Sequence, residues 1–577
     1  MPTLDWIGKA KVINHHQEVP FRVLERQYAY GADSSENMII HGDNLEALKA
    51  LLPRYAGKIR CIYIDPPYNT GNEGWIYNDS VNDPRIRRWL GEVVGKEGED
   101  LSRHDKWLCM MYPRLRLLQK LLAENGAIFI SIDDNELYHL KLVCDEIFGA
   151  NCFVSTVAWQ RTYSTRNDSK GIVSEVEHIL VYSKRPGWNP NKLPRTDRMN
   201  AKYKNPDNDP HGDWRSDNAY APGAATHQGM VYAIQHPFTG KILYPSNGSC
   251  WRYQQDEMLS ILCGWCQYEL RDLNDAHERA VICGVADSAV RPGVKAILLA
   301  EPLELAREKA AAVLKKGPWP RLFFSKGGQG SIARKTYLEN VGGTPPTNLW
   351  QYADVGHTDE AAKILKAIFE GNATFDTPKP ARLIERILQI AGDQDTLILD
   401  SFAGSGTTAH AVLNLNKADG GNRRFILIEM MDYAGSITAE RVKRVIDGYG
   451  AGKSAAEGTG GDFAYYELGE PLLVGERLNE AVGADKIRAY VWFMETRTPY
   501  VPAANGNPYY LGRHGGASFY FYYERDSVTV LDYAFLSTLP EESPGMVIYA
   551  DRCTISGDKL AQMGIVFKKI PRDIGRL

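Results

Sequence analysis

RCIYIDPPY, residues 60–68, is the stretch that decides the fold. Arg60 to Ile64 is an apolar run of the length of one buried strand, and it stops at Asp65. Pro66 and Pro67 follow at once, and proline locks its own φ and restricts the residue before it, so the backbone is held extended beyond the strand. In an open α/β sheet, ligands bind just outside the carboxyl ends of the strands. An acid, two prolines and an aromatic at such an end therefore mark a site. The Asp65 carboxylate and the Pro66 carbonyl are expected to face one point, two acceptors suited to a planar amino group. Pro67 stiffens the turn, and Tyr68 offers a face on which a ring can stack.

Outward from this turn, strands and helices alternate. Trp107, Leu108, Met111, Leu115, Leu118, Leu121 and Leu122 give helical spacing over 104–125, interrupted by Pro113 and ended by Gly126. AIFISI (127–132) and HILVY (178–182) read as buried strands. From about 190 to 370 the chain turns aromatic, basic and rich in glycine and proline, and then the α/β pattern returns. Helix 381–391 follows TPKP, strand TLILD (396–400) runs into a glycine turn and a helix from Thr407, and RFILIE (424–429) is a further strand. The expectation is a Rossmann-like α/β sheet with helices on both faces, built from 1–190 and 371–450 and interrupted by an inserted binding domain over 191–370. Residues 451–464 read as a linker, and 451–577 as linker plus a small α+β C-terminal domain.

Composition sets the bounds. A chain of 577 residues implies about two to four domains. With 44% hydrophobic and 24% charged residues, and no run near the roughly 20 apolar residues of a membrane span, the expectation is a cytoplasmic protein without membrane association. The start lacks an apolar signal core. A net charge of -4 means that any nucleic-acid site must be a local basic surface. Nine scattered cysteines argue for reduced thiols. Cys263 and Cys266 form a CxxC flanked by Cys250 and Cys283, but the second close pair of a zinc site is missing and the flanks look like core, so no metal is expected.

The second motif is LDSFAGSGTT, 399–408. It sits at a strand-to-helix turn, where glycines admit a ligand close to the backbone and the helix start offers free N–H groups. A phosphate-binding P-loop needs Lys after its last Gly, and Gly406 is followed by Thr407 and Thr408, so nucleotide hydrolysis is excluded. A dinucleotide fingerprint needs a third Gly, which is absent. Glu429, ending the next strand, is placed to accept hydrogen bonds from two ribose hydroxyls.

With both motifs in hand, the chain resembles the β-class amino-methyltransferases of DNA, and closely the modification subunit of type III restriction-modification systems. The resemblance rests on DPPYNTG (65–71) preceding Phe402-Ala403-Gly404-Ser405-Gly406. It is extended by IIHGDNLEALKAL (39–51), YPRLRLLQKLLAENGAIFISIDDNE (112–136), EHILVYSK (177–184) and FDTPKPARLIERIL (375–388). It covers about residues 4–450. It implies transfer of a methyl group from S-adenosylmethionine to adenine N6 in double-stranded DNA, with Asp65, Pro66, Pro67 and Tyr68 holding a flipped base. Asp400, Phe402, Gly404, Gly406, Thr407 and Thr408 would line the cofactor pocket, with Glu429 on the ribose, Asp43 on the adenine, and Lys379 with Pro380 on the methionine side. Asp43 equally fits a helix N-cap before LEALKALL, and Lys379 a solvated lysine. The same resemblance implies a homodimer and a separate helicase-nuclease partner. N4-cytosine methylation, or a mainly recognition role, are the competing readings.

Contacts to DNA are expected where basic residues interleave with aromatics: Arg321, Lys326, Arg334 and Lys335 alternate with Trp319, Phe323 and Phe324. Arg85, Arg87 and Arg88 lie in the stretch after the Asp65 turn and would close over the base.

Overall fold

A computed structural model describes residues 3–70, 103–164, 171–372, 375–452, 455–474, 477–479, 481–502, 506–540 and 545–574. The chain divides into two compact units, 1–191 with 346–577, and the inserted 192–345.

The first unit is organised by a ten-stranded sheet. Its strands are β1 (Arg22–Tyr30), β2 (Met38–His41), β3 (Ile59–Ile64), β4 (Leu122–Ile132), β5 (Phe153–Gln160), β6 (Val176–Ser183), β7 (Leu349–Trp350), β8 (Leu397–Asp400), β9 (Arg424–Glu429) and β10 (Phe463–Pro471). In space they run β1-β10-β2-β9-β8-β3-β4-β6-β5-β7. The six from β10 to β4 are mutually parallel, and β6 is antiparallel to both neighbours. The central strands are apolar on both faces because helices cover both, as parallel sheets require. Among those helices are α1 (Asn44–Tyr55), α2 (Arg103–Leu121), α3 (Leu137–Phe148), α4 (Ala381–Ala391), α5 (Thr407–Asp419) and α6 (Glu440–Asp447). In α4, Leu383, Ile384, Ile387, Leu388 and Ile390 make one buried stripe, and the extended Pro380 stands at its N-cap.

The order of strands places the site. From β3 the chain passes through α2 to β4 on one side, and from β8 through α5 to β9 on the other. The sheet therefore reverses its winding between β3 and β8, which pair directly through Ile398 with Cys61 and Leu399 with Ile62. A crevice at such a switch point is where open α/β sheets bind ligands.

The boundaries differ from expectation in two places. The inserted unit ends at 345 and not near 370, because Leu349 and Trp350 pair in parallel with Ala158 and Trp159 and extend the main sheet. The C-terminal stretch is not a separate body. Phe463–Pro471 inserts between β1 and β2, and Ile487, Tyr490 and Val491 of helix Ala484–Thr496 share one apolar core with Leu48, Leu51 and Leu52 of α1. The helix α2 also runs on through Pro113, and β4 begins at Leu122, ahead of Gly126.

The inserted unit has its own core, with Trp214, Trp251, Trp265, Phe323 and Phe324 packed between small sheets and the helix Leu303–Lys316. Among the described residues no helix is long and apolar enough to cross a membrane.

Candidate active site

Asp65 leaves the end of β3 where burial raises its pKa, opposed by Lys379, whose ammonium reaches both carboxylate oxygens at 2.8 and 2.7 Å. The same ammonium lies 4.9 Å from the centre of the Tyr68 ring and 3.8 Å from Glu177 Oε2. The Tyr68 hydroxyl donates to Glu177 Oε2 (3.0 Å), and Arg161 donates to Glu177 Oε1 (3.0 Å). Burial and the nearby carboxylates push Tyr68 well above the ordinary tyrosine range, so it stays a neutral donor. Pro66 is buried, and the Pro67 carbonyl accepts from the Trp107 indole at 2.7 Å. Three charged groups, Lys379, Glu177 and Arg161, thus surround the turn, and the roles of Glu177 and Arg161 escape sequence reasoning because their contacts here are distant in sequence. Lys379, expected on the methionine side of the cofactor, is bound to the Asp65 carboxylate.

Beside it, β8 ends at Asp400 and the glycine turn begins. Asp400 accepts from the Phe402 N–H (3.0 Å) and the Thr408 hydroxyl (2.6 Å), tying the turn to the first helical residues of α5. Gly404 and Gly406 both have positive φ, 52° and 82°. Glycine suits Gly406 because a side chain is strained at this φ, and a Cβ there would also press on the Thr438 carbonyl at 3.1 Å. Glu429 ends β9 and accepts from the Gly404 N–H (2.8 Å) and the Met431 N–H (2.9 Å), one per oxygen. The Tyr433 side chain and the Met430 backbone also hydrogen-bond to this carboxylate, so Glu429 is held firmly at the mouth of the glycine turn. Burial pushes both Asp400 and Glu429 up to about 7, with the backbone and side-chain donors holding them down.

Sequence reasoning missed the support for this turn. Arg441 of α6 is buried and donates to Ser405 Oγ (2.7 Å) and Thr407 Oγ1 (2.8 Å), and Thr438 donates to the Gly404 carbonyl (2.6 Å). Asn44 donates to the Ser401 carbonyl (3.2 Å), while Ser401 Oγ is buried with no partner among the described residues. Asp43 caps α1, accepting from the Leu45 (2.8 Å) and Glu46 (3.2 Å) amides, and its other oxygen faces Arg114 at 3.4 Å. The capping reading of Asp43 thus has its geometry.

The basic residues of the inserted unit separate into two kinds. Arg321 and Lys326 are exposed, Arg321 with its guanidinium 5.5 Å from the centre of the Tyr253 ring. Arg334 is committed to Asp217 at 2.8 Å. Lys335 contradicts the expected surface role: its side chain is fully buried, held by Asp207 (2.5 Å), Asp209 and the Trp319 carbonyl (2.7 Å). The alternation of strand Ile332–Tyr337 explains the split, since neighbouring residues point to opposite faces. Phe323 and Phe324 are core, and the partly buried Trp319 packs against it, so they are not a stacking platform for bases. Arg85, Arg87 and Arg88 lie outside the described residues. Cys250 and Cys283 share one small apolar cluster, Cys266 belongs to another, and Cys263 is exposed, so these four thiols do not converge.

Two turns meeting at the switch point of a parallel sheet, one acidic and proline-stiffened, one glycine-rich with a strand-end acid beyond it, define a Rossmann-like methyltransferase. The model of the family described as DNA methylase matches residues 59–239 and 296–440, and the chain belongs to that family. Among its relatives, the StyLTI Mod subunit of a type III restriction-modification enzyme from Salmonella typhimurium is 34% identical over 444 residues, 74% of this chain and 57% of that one. The EcoP15I Mod subunit of Escherichia coli is 29% identical over 452 residues, 74% of this chain and 64% of that one. The type II methyltransferase M.KpnI of Klebsiella pneumoniae is 30% identical over 404 residues, 69% of this chain and 81% of that one. The chain thus spans about three-fifths of the length of the two Mod subunits.

Proposed function

We propose that this chain transfers a methyl group from S-adenosylmethionine to adenine N6 in double-stranded DNA, as the modification and recognition subunit of a restriction-modification system. The observation that carries the reading is the meeting of Asp65 and the 404–406 glycine turn across the β3–β8 pair. The residues fit the cofactor: Glu429 is a buried strand-end acid fixed beside the turn, where a ribose hydroxyl could displace one of its present donors, the glycine turn leaves room at the backbone, and Ser401 Oγ beside it is a buried polar atom with no partner among the described residues. When bound, S-adenosylmethionine supplies an electrophilic methyl group on a sulfonium.

The chain's own residues do the rest. Asp65 accepts a hydrogen bond from the N6 amino group, with the Pro66 carbonyl as second acceptor, which favours a pyramidal nitrogen able to attack in line. Its carboxylate then faces the positive charge that develops on that nitrogen. Lys379 donates to both Asp65 oxygens and Tyr68 to one of them, and a carboxylate with about four acceptor positions still has one for an amino hydrogen. Tyr68 stacks on the base, which must leave the duplex at a cost of a few kcal/mol.

The inserted unit is the DNA-reading part in this proposal, with Arg321 and Lys326 on its surface. The names of the Mod-subunit relatives support a modification role, a homodimer and a helicase-nuclease partner being part of the same reading. Incubating the protein with unmethylated DNA and methyl-labelled cofactor, followed by nucleoside analysis, tests it: N6-methyladenine is expected, while N4-methylcytosine or unlabelled DNA overturns the assignment.

A pH dependence follows from the raised acids. Native Glu429 and Asp400 take up protons near pH 7, whereas the unfolded chain does so near 4. The unliganded fold is therefore favoured by these groups at low pH and loses that contribution as pH rises from about 4 through 7. Ligand binding has the opposite sign, because the ribose needs an ionised acceptor. Cofactor affinity should rise with pH up to about 8, by as much as tenfold per unit below 7. Calorimetry should register proton release on binding, with a shallower slope in Glu429→Gln; affinity that is flat with pH counts against Glu429 as the ribose acceptor.

A further inference from the structure

The residue just past the catalytic turn is held as firmly as the turn itself. Asn69 is fully buried at φ 60°, a left-handed conformation, and its side-chain nitrogen donates to the Arg103 carbonyl (3.2 Å) and to Glu136 Oε1. Turning the amide over would set its oxygen against two acceptors, so the orientation is fixed. Glu136 is fully buried too, at the N-cap of α3, and its other partners are His104 Nδ1 (2.6 Å) and His139 Nδ1 (2.9 Å).

Two histidines and a carboxylate are also a zinc-ligand set. A tetrahedral zinc with bonds near 2.1 Å would hold its ligand atoms about 3.4 Å apart. The imidazole–carboxylate separations here are those of hydrogen bonds, and Glu136 Oε1 is engaged by Asn69 as well. The cluster is a hydrogen-bonded clamp.

We propose that Asn69 and Glu136 are a positioning pair. Resting on the methyl transfer proposed above, the pair sets the Asp65–Tyr68 turn in register for reaction from its downstream side, as Trp107 does at Pro67. His104 and His139 satisfy the buried carboxylate, which would otherwise be costly in an apolar interior. A displacement of about 1 Å at a reacting group can cost 10²-fold in rate.

Asn69→Gly isolates the effect, since glycine keeps the positive φ and removes only the amide. Methylation kcat is expected to fall by about 10- to 100-fold, with DNA KM and cofactor affinity unchanged, while the melting temperature drops modestly because two buried acceptors lose a donor. Glu136→Gln, which retains an acceptor for Asn69, should keep more activity than Glu136→Ala, and Asn69→Gly combined with Glu136→Ala should be no slower than the worse single variant. Wild-type kcat in Asn69→Gly, additive losses in the double variant, or stoichiometric zinc whose removal abolishes turnover would each overturn the pair. A wild-type protein that transfers no methyl group overturns the functional reading itself, and the pair with it.

Discussion

Asp65→Asn is expected to slow methyl transfer by about 10²- to 10³-fold, the usual loss when one preorganised group facing transition-state charge is removed. The substitution preserves volume and one acceptor oxygen, so the base can still be bound. What it removes is the negative charge opposite the nitrogen that becomes cationic. It also sets the Lys379 ammonium, now bonded to both Asp65 oxygens, beside a neutral amide, with Glu177 3.8 Å away. Cofactor binding should survive, because the glycine turn is held by Asp400, Arg441 and Thr438, none of which Asp65 supports by a hydrogen bond. Single-turnover labelling alongside cofactor calorimetry separates the two; a variant that methylates at the wild-type rate would remove Asp65 from the chemistry.

The second large effect lies in the inserted unit and concerns stability. Lys335→Met should destabilise that unit by about 3–5 kcal/mol, since removing one partner of a buried ion pair leaves its counter-charges uncompensated. Here two carboxylates, Asp207 and Asp209, would face each other without their shared cation. Burial alone would push Asp209 up, but the hydrogen bonds from Lys335, the His211 amide and Tyr337 outweigh it and hold it below the ordinary range. That contribution is present at neutral pH and is lost as pH falls through the lowered native value. Denaturant unfolding measures the effect. Unchanged stability with weakened DNA binding would return Lys335 to the surface, where Arg321 and Lys326 lie exposed.

The contrast between Asp65 and Lys335 shows what sequence carries. Asp65 and the glycine turn were legible because strand, acid, prolines and glycines are contiguous, and contiguous residues fix a local conformation whose chemistry can be read. The parallel sheet was legible for the same reason, in the double-sided apolar runs at 60–64, 127–132 and 424–429. Lys335 was misread because a basic residue among aromatics looks alike whether it faces water or two buried acids more than 120 residues away in sequence. Glu177, Arg161 and Arg441 went unnoticed because each acts through a partner that only folding brings near. The end of the insertion was misplaced because the two-residue strand Leu349–Trp350 is too short to show periodicity.

The ladder between Cys61 and Ile398 also dictates an order of events during synthesis. When β3 leaves the ribosome its partner on that side has not been made, and the inserted unit must emerge first. β2 waits longer still, since β9 and β10, which flank it, are translated after β8. Such distant pairings form slowly, and apolar strand edges left open meanwhile invite wrong partners. Release of a chain ending near 450 would leave β2 and β1 without the strand that joins them, so this side of the sheet can close only once residues 463–471 have arrived.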